Sequence, residues 1–310
     1  MTRRTFLAAA SAVATGTSGP LARAASARVK LSEFAYDDVT LSGGPMAAQL
    51  DRLRHHYLAL DEDRLLKVYR QRAGLSAPGE DMGGWYDADG FVPGHLIGQF
   101  ISGLARVAAN TGDAAAAAKA KSLVSGYATT LGPKDYPFAA AKASTTWPCY
   151  VLDKYEIGLL DAASLISCDE ARRLLPRVIA GALPYIPDHV YDRGPDSPKQ
   201  APYDEPYILP ENLFRVYQAT GDRRYFDMAR KYLLDSDLFD PLAAGRNILP
   251  GKHGYSHVIA LSSGAKAYEM LGDAKYLRAI RNAWDIMIWI ALKTPSVGED
   301  NKVEDKGKIT

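Results

Sequence analysis

The stretch Glu211–Trp284 reads ENLFRVYQATGDRRYFDMARKYL, then a loop, then PGKHGYSHVIALSSGAKAYEMLGDAKYLRAIRNAW. Two of its segments repeat one another: VYQATGDRRYFDMARKYL and AYEMLGDAKYLRAIRNAW. In each, a helix closes on an aromatic and small residues, a Gly-Asp turn follows, and a Tyr opens the buried face of a second amphipathic helix. The Gly suits the left-handed conformation that ends a helix. The Asp suits the cap of the next, accepting from its free N–H groups. This is a helical hairpin used at least twice.

Working outward, Gly112-Asp113 is a third copy, and Cys168-Asp169 reads as a degenerate fourth with Cys in place of Gly. Asp113, Asp169, Asp222 and Asp273 are 56, 53 and 51 residues apart. A fixed period of this length signals an array of supersecondary units. Units this long, with long loops between hairpins, predict an all-α fold: an (α/α)-toroid-like array of helical hairpins. About ten helices can be traced. Gly-Asp turns should lie at one end, and the loops around Trp85, Trp147, Pro202 and Gly251 at the other.

The N-terminus is of a different kind. Thr2-Arg3-Arg4-Thr5-Phe6-Leu7, an Ala-rich run and small-x-small sites at Ala22–Ala24 and Ala25–Ala27 form a twin-arginine-type signal over residues 1–27. Such a segment is an address, removed on export, and not a membrane span. The expected location is therefore periplasmic or extracellular. Residues 28–293 are read as the toroid domain and 294–310 as a polar, mobile tail. The formal charge is +1, and removal of a leader containing Arg3, Arg4 and Arg23 makes it slightly negative. With no basic stripe, nucleic acid is not an expected partner. No later run is apolar enough to span a membrane.

Three loops enter helices with polar and aromatic residues. Gly74–Gly94 carries Trp85, Asp87 and Asp89 and leads to His95, placed at the first turn of the following helix. The loop Asp188–Pro210 delivers Glu211, and Arg246–Tyr255 delivers His253. Trp147-Pro148-Cys149-Tyr150 opens a further helix, with Pro148 in the tolerated first turn. The candidate substrate-binding residues are Trp85, His95, Trp147, Tyr150, Glu211 and His253. Aromatic faces there can stack on sugar rings, and short polar groups can reach hydroxyls. His253 and His257 have metal-binding spacing only if the helix already includes His253, and Gly254 argues against that. His55 and His56 point about 100° apart and read as a surface and boundary pair. Cys149 and Cys168 straddle a helix that separates its ends by more than about 20 Å, too far for a disulfide; both read as buried free thiols.

At these residues the chain resembles the β-L-arabinofuranosidase-like glycoside hydrolases, a family formerly described as a domain of unknown function. The similar segments are Asp63-Arg64-Leu65-Leu66, Gly83-Gly84-Trp85, Gly94-His95, Trp147 with Tyr150 and Lys154, Glu211 with Leu213 and Tyr217, and Leu249-Pro250-Gly251 with His253. The resemblance implies an (α/α)6 barrel, a toroid of twelve helices of which about ten can be traced, so the ring is expected to be incomplete. It implies retaining hydrolysis of plant-type arabinose sugars. It also implies a zinc-bound cysteine nucleophile with a glutamate that assists proton transfer. Asp153 stands where many members have His, and Gly254-Tyr255 replaces Ala-Asn. The family's cysteine cluster lies beyond the segments matched here, so no metal or other cofactor is expected in this chain. The catalytic group is unknown, with Glu211 the weak candidate, paired with Asp87, Asp89 or Asp153. The expected function is glycoside hydrolase-like recognition of arabinose-containing or related glycans by an N-terminal portion without the zinc centre. A non-catalytic carbohydrate-binding remnant and a helical scaffold for a protein are the alternatives. A missing C-terminal half is a further expected partner.

Overall fold

A computed structural model describes residues 34–141, 147–193 and 204–293, with residues 289–293 as backbone only. The leader, the tail and Pro202 lie outside the described residues. Among those described there is no strand, and eleven α-helices follow one another. They are α1 (Gly44–Ala59), α2 (Glu62–Arg72), α3 (Ile97–Thr111), α4 (Ala114–Ala128), α5 (Pro148–Leu165), α6 (Asp169–Ala182), α7 (Pro210–Thr220), α8 (Arg223–Lys231), α9 (Asp240–Ala243), α10 (Gly254–Leu271) and α11 (Ala274–Lys293). Ten are the long helices traced in the sequence; α9, four residues long, adds to them.

Local chemistry explains the hairpins α3–α4, α7–α8 and α10–α11. Gly112, Gly221 and Gly272 each close a helix in the left-handed conformation. Asp113, Asp222 and Asp273 each accept from backbone N–H groups of the next helix. The fourth turn corrects the sequence register by one residue. Ser167 takes the left-handed position with φ 51°, Cys168 is the cap without a side-chain bond, and Asp169 is already helical. The buried residue four places past the left-handed one supports this alignment: Ala116, Ala171, Tyr225 and Tyr276 are all buried.

The pairs α3–α5, α5–α7 and α7–α10 pack side by side as an inner row, and α4 packs on α6 outside it. The inner helices run parallel. Gly98 meets Lys154 and Ser102 bonds Asp161; Asn212 bonds Asp153 and Arg215 bonds Asp161; Glu211 meets Ser263 and Gln218 meets Glu269. Partners advance together along each pair, so all helix starts lie at one end and all four turns at the other. At the closest approach a Cβ on Gly98 would sit 1.8 Å from the Lys154 carbonyl oxygen. One on Gly158 would sit 2.5 Å from the Gly98 oxygen. Only glycine permits this contact.

A fifth hairpin, from α1 and α2, is not formed in the same way. Leu60 and Asp61 are both extended, so the helices diverge, and each packs on α4. No residue of α1 is buried, and Met46 and Leu53 are exposed. Val39–Leu41 is exposed chain without secondary structure, held where the Val39 carbonyl accepts from Asn110.

Side chains between the inner helices form a polar ladder. Asp161 accepts from Ser102 at 2.7 Å, Arg106 at 2.8 Å and Arg215 at 2.8 Å. Arg215 also donates to Asn212, and Asn212 donates to Asp153 at 2.7 Å. Asp153 is ion-paired with Lys154 at 2.8 Å. Each buried charge thus meets an opposite charge, which offsets its desolvation.

Candidate functional site

The site begins at the start of α5. Trp147 caps this helix in a left-handed conformation, φ 53° and ψ 61°, which a bulky residue adopts only when its surroundings hold it there. The amides of Cys149 and Tyr150 then donate to the Asp204 carboxylate, at 2.5 and 3.1 Å. The Glu205 amide joins them at 2.8 Å. Asp204 is therefore an anion seated on a helix N-terminus, where backbone donors favour it. Burial nevertheless pushes its pKa up to about 6. Burial, with Asp204 beside it, also pushes the Cys149 thiol well up. Cys149 and Cys168 are free and buried.

Next to Asp204, Glu205 is fully buried. Its Oε1 accepts from Arg193 and from His253 Nδ1, the latter at 2.9 Å; its Oε2 is buried with no partner. Burial raises this carboxyl, but the bonds from His253 and Arg193 and the Arg193 charge outweigh it and hold the pKa below the ordinary value. The Arg193 guanidinium lies 4.7 Å over the Trp147 ring. His253 caps α10 from the loop, as Gly254 suggested. His257 engages the His253 carbonyl through Nδ1 and Asp192 through Nε2.

Aromatic rings connect these loops. Trp85 packs on Phe91 at 5.2 Å, Phe91 on Trp147 at 5.3 Å, and Trp147 on Tyr150 at 6.2 Å. Tyr150 meets His95 at 6.3 Å and Tyr255 at 6.2 Å, and Tyr255 meets His253 at 6.2 Å. Beneath them Lys154 Nζ lies 4.7 Å from the Tyr150 ring and 5.4 Å from Tyr255. Burial alone would lower the Lys154 pKa; the Asp153 charge outweighs it and keeps the ammonium.

Five of the six sequence candidates, Trp85, His95, Trp147, Tyr150 and His253, therefore belong to one chain of rings. Trp85 stands at its rim, 63% exposed. His95 precedes α3 by two residues instead of opening it, with Nδ1 2.7 Å from the Val92 carbonyl. Burial and Lys154 lower its pKa. Glu211 lies deeper, in the first turn of α7, and makes no ring contact. Burial and the nearby Asp153 raise its pKa against Arg215, Lys266 and Arg106. Asp87 is bound to the Met82 and Gly83 amides, and Asp89 is exposed. Asp153 is thus the candidate partner that faces Glu211. His55 and His56 are exposed.

Sequence reading missed Arg193, Asp204, Glu205 and Tyr255. Their only signal was membership of the long loops. It also missed Glu156, fully buried on α5 with both carboxyl oxygens unpartnered and its pKa pushed well up by burial, then by Asp153. A separate cleft of about 730 Å³ opens near the turn at Asp273, lined by Arg230, Asp235, Lys275 and Tyr276 among others. Its charges are mixed, with Lys275 paired to Asp235 and Asp240.

The described residues contain no group of three or more His, Cys, Asp or Glu side chains arranged to hold a metal. No helix among them is long and apolar enough to cross a membrane.

Comparison with known proteins places these features in a family. No curated protein matches the chain. Among solved structures it is similar to a GH127 β-arabinofuranosidase, with a TM-score of 0.59 and 16% identity over 81% of this chain and 42% of the other. It is also similar to a GH127 β-L-arabinofuranosidase from Geobacillus stearothermophilus T6, with a TM-score of 0.53 and 14% identity over 80% of this chain and 44% of the other. The chain thus spans less than half the length of these relatives, and at this identity the likeness is one of fold. The family model for the β-L-arabinofuranosidase GH127 catalytic domain matches residues 38–289, and the chain belongs to that family of glycoside hydrolases.

Proposed function

We propose that the loop end of this chain recognises a sugar unit of arabinose-containing or related glycans, and that the chain by itself does not hydrolyse them. The observation that carries this reading is the chain of rings from Trp85 to His253 across the starts of α3, α5 and α10. Ring faces supply stacking area, while His95, His253 and the Lys154–Asp153 pair supply polar contacts to hydroxyl groups. The cations Lys154 and Arg193 are matched by Asp153 and Glu205, which suits a neutral ligand. The twin-arginine leader supports action outside the cytoplasm.

The absence of turnover follows from the groups available. A retaining mechanism needs a nucleophile beside a proton donor. Cys149 is buried and protonated, and Asp153 is committed to Lys154 and Asn212. The second reading uses Glu211, whose raised pKa suits a proton donor, with Asp153 as the carboxylate. The test is hydrolysis of an aryl β-L-arabinofuranoside and an aryl glycoside panel by the purified chain, with and without zinc. Saturable L-arabinose binding without turnover supports the proposal. Turnover lost in Glu211→Gln and retained in Cys149→Ser would establish the carboxylate route instead.

A further inference from the structure

We infer that Glu205 is a positioning residue that holds His253 as its Nδ1–H tautomer, so that His253 and His95 both present an Nε2 lone pair to hydroxyl donors of the ligand. This rests on the carbohydrate reading of the loop end and adds how the two histidines are set to read it.

The argument starts from what each imidazole nitrogen faces. His95 Nδ1 lies 2.7 Å from the Val92 carbonyl oxygen, which can only accept, so Nδ1 carries the proton. Its lowered pKa keeps the ring neutral, and a neutral imidazole with Nδ1–H has its lone pair on Nε2. His253 Nδ1 lies 2.9 Å from Glu205 Oε1. Glu205 Oε1 is also ion-paired with the Arg193 guanidinium, so it too serves purely as an acceptor. A lone pair on Nδ1 at that distance would face a negative oxygen inside the protein, where an unmatched acceptor pair is costly. The Ser256 hydroxyl, 2.9 Å away, can accept or donate and imposes nothing. Arg193 Nη1, 3.0 Å from Nδ1, carries two hydrogens: one goes to Glu205 Oε1, and the other competes for Nδ1 against the negative charge of Glu205 Oε1 at 2.9 Å.

The two histidines therefore reach the same tautomer by different means, one through the backbone and one through a buried carboxylate. Neither Nε2 atom has a hydrogen-bond partner among the described residues. His253 keeps 24% side-chain exposure, so a ligand can reach it. Glu205 itself is fully buried and acts through His253.

The test is ¹⁵N NMR of the imidazole nitrogens of the full chain, without ligand, followed by titration with L-arabinose. The wild-type His253 and His95 are expected to show protonated Nδ1 and bare Nε2 at pH 7.5. Glu205→Gln keeps an acceptor oxygen for Arg193 and His253, and should keep both tautomer and affinity. Glu205→Leu removes the acceptor; His253 should move towards Nε2–H and L-arabinose affinity should fall about tenfold, the loss of one hydrogen bond. A protonated Nε2 on wild-type His253 would overturn the inference, and needs no variant to fold. So would a Glu205→Leu chain with normal helical circular dichroism and unchanged tautomer. A wild-type chain with the expected tautomer but no saturable L-arabinose binding would sink the carbohydrate reading and leave the tautomer assignment standing.

Discussion

The two ends of the helical array are built on opposite plans. At the turn end, crossings repeat: a left-handed residue, a cap, and a buried residue four places on. At the loop end no two crossings are alike. One is capped by a strained tryptophan over a buried aspartate, another by His253 on a buried glutamate. The repeated end fixes the helices with local hydrogen bonds. The irregular end spends that rigidity on buried carboxylates and half-exposed rings. Regularity makes the frame, and departures from it mark where a ligand can be read.

The comparison can be broken most severely at the frame. Gly98→Ala puts a methyl group 1.8 Å from the Lys154 oxygen, so α3 and α5 must separate. We expect a loss of about 3 kcal/mol or more by urea unfolding. A loss under half that would mean the inner helices are not in close contact. Asp161→Ala comes next. It strips the shared partner from Ser102, Arg106 and Arg215. The arginines retain some solvent access, so the expected loss is about 2 kcal/mol, below that of a fully buried pair.

Glu156 behaves differently, because the folded protein keeps its carboxyl protonated. Its folded pKa lies above its unfolded one, so the folded state holds the proton after the unfolded chain has released it. Stability from this group is full below the unfolded pKa and falls as pH rises towards the folded one, by about 1.4 kcal/mol per pH unit. Glu156→Met should therefore unfold at higher urea than wild type, with a gap that widens from pH 5 to pH 7. A constant gap would mean Glu156 is ionised in the fold. The smallest stability effect belongs to the turns. Asp222→Ala removes one cap, for about 1 kcal/mol, and should leave L-arabinose binding unchanged.

The turn end was legible in the sequence because its chemistry is local. Gly112-Asp113, Gly221-Asp222 and Gly272-Asp273 carry both the conformation and the cap within two residues. Ser167-Cys168 escaped at first because neither residue advertises its role, and the neighbouring Asp169 resembled the cap. At the loop end, Trp147 and His253 were visible as unusual residues at helix starts. Asp204 and Glu205 were not, since their states are set by residues tens of positions away, and Glu156 was not, since its state is set by burial. The divergence of α1 from α2 was hidden for a similar reason: it depends on packing against α4.

The central claim is that ligand recognition belongs to the loop end and not to the turn end. Backbone ¹H–¹⁵N spectra of the chain titrated with L-arabinose test it directly. The account predicts saturable shifts at His95, Trp147, Tyr150 and Tyr255, with the amides of Gly112, Gly221 and Gly272 unmoved. Shifts centred on those three glycines or on the Lys275 cleft, or none anywhere at saturating sugar, would contradict it.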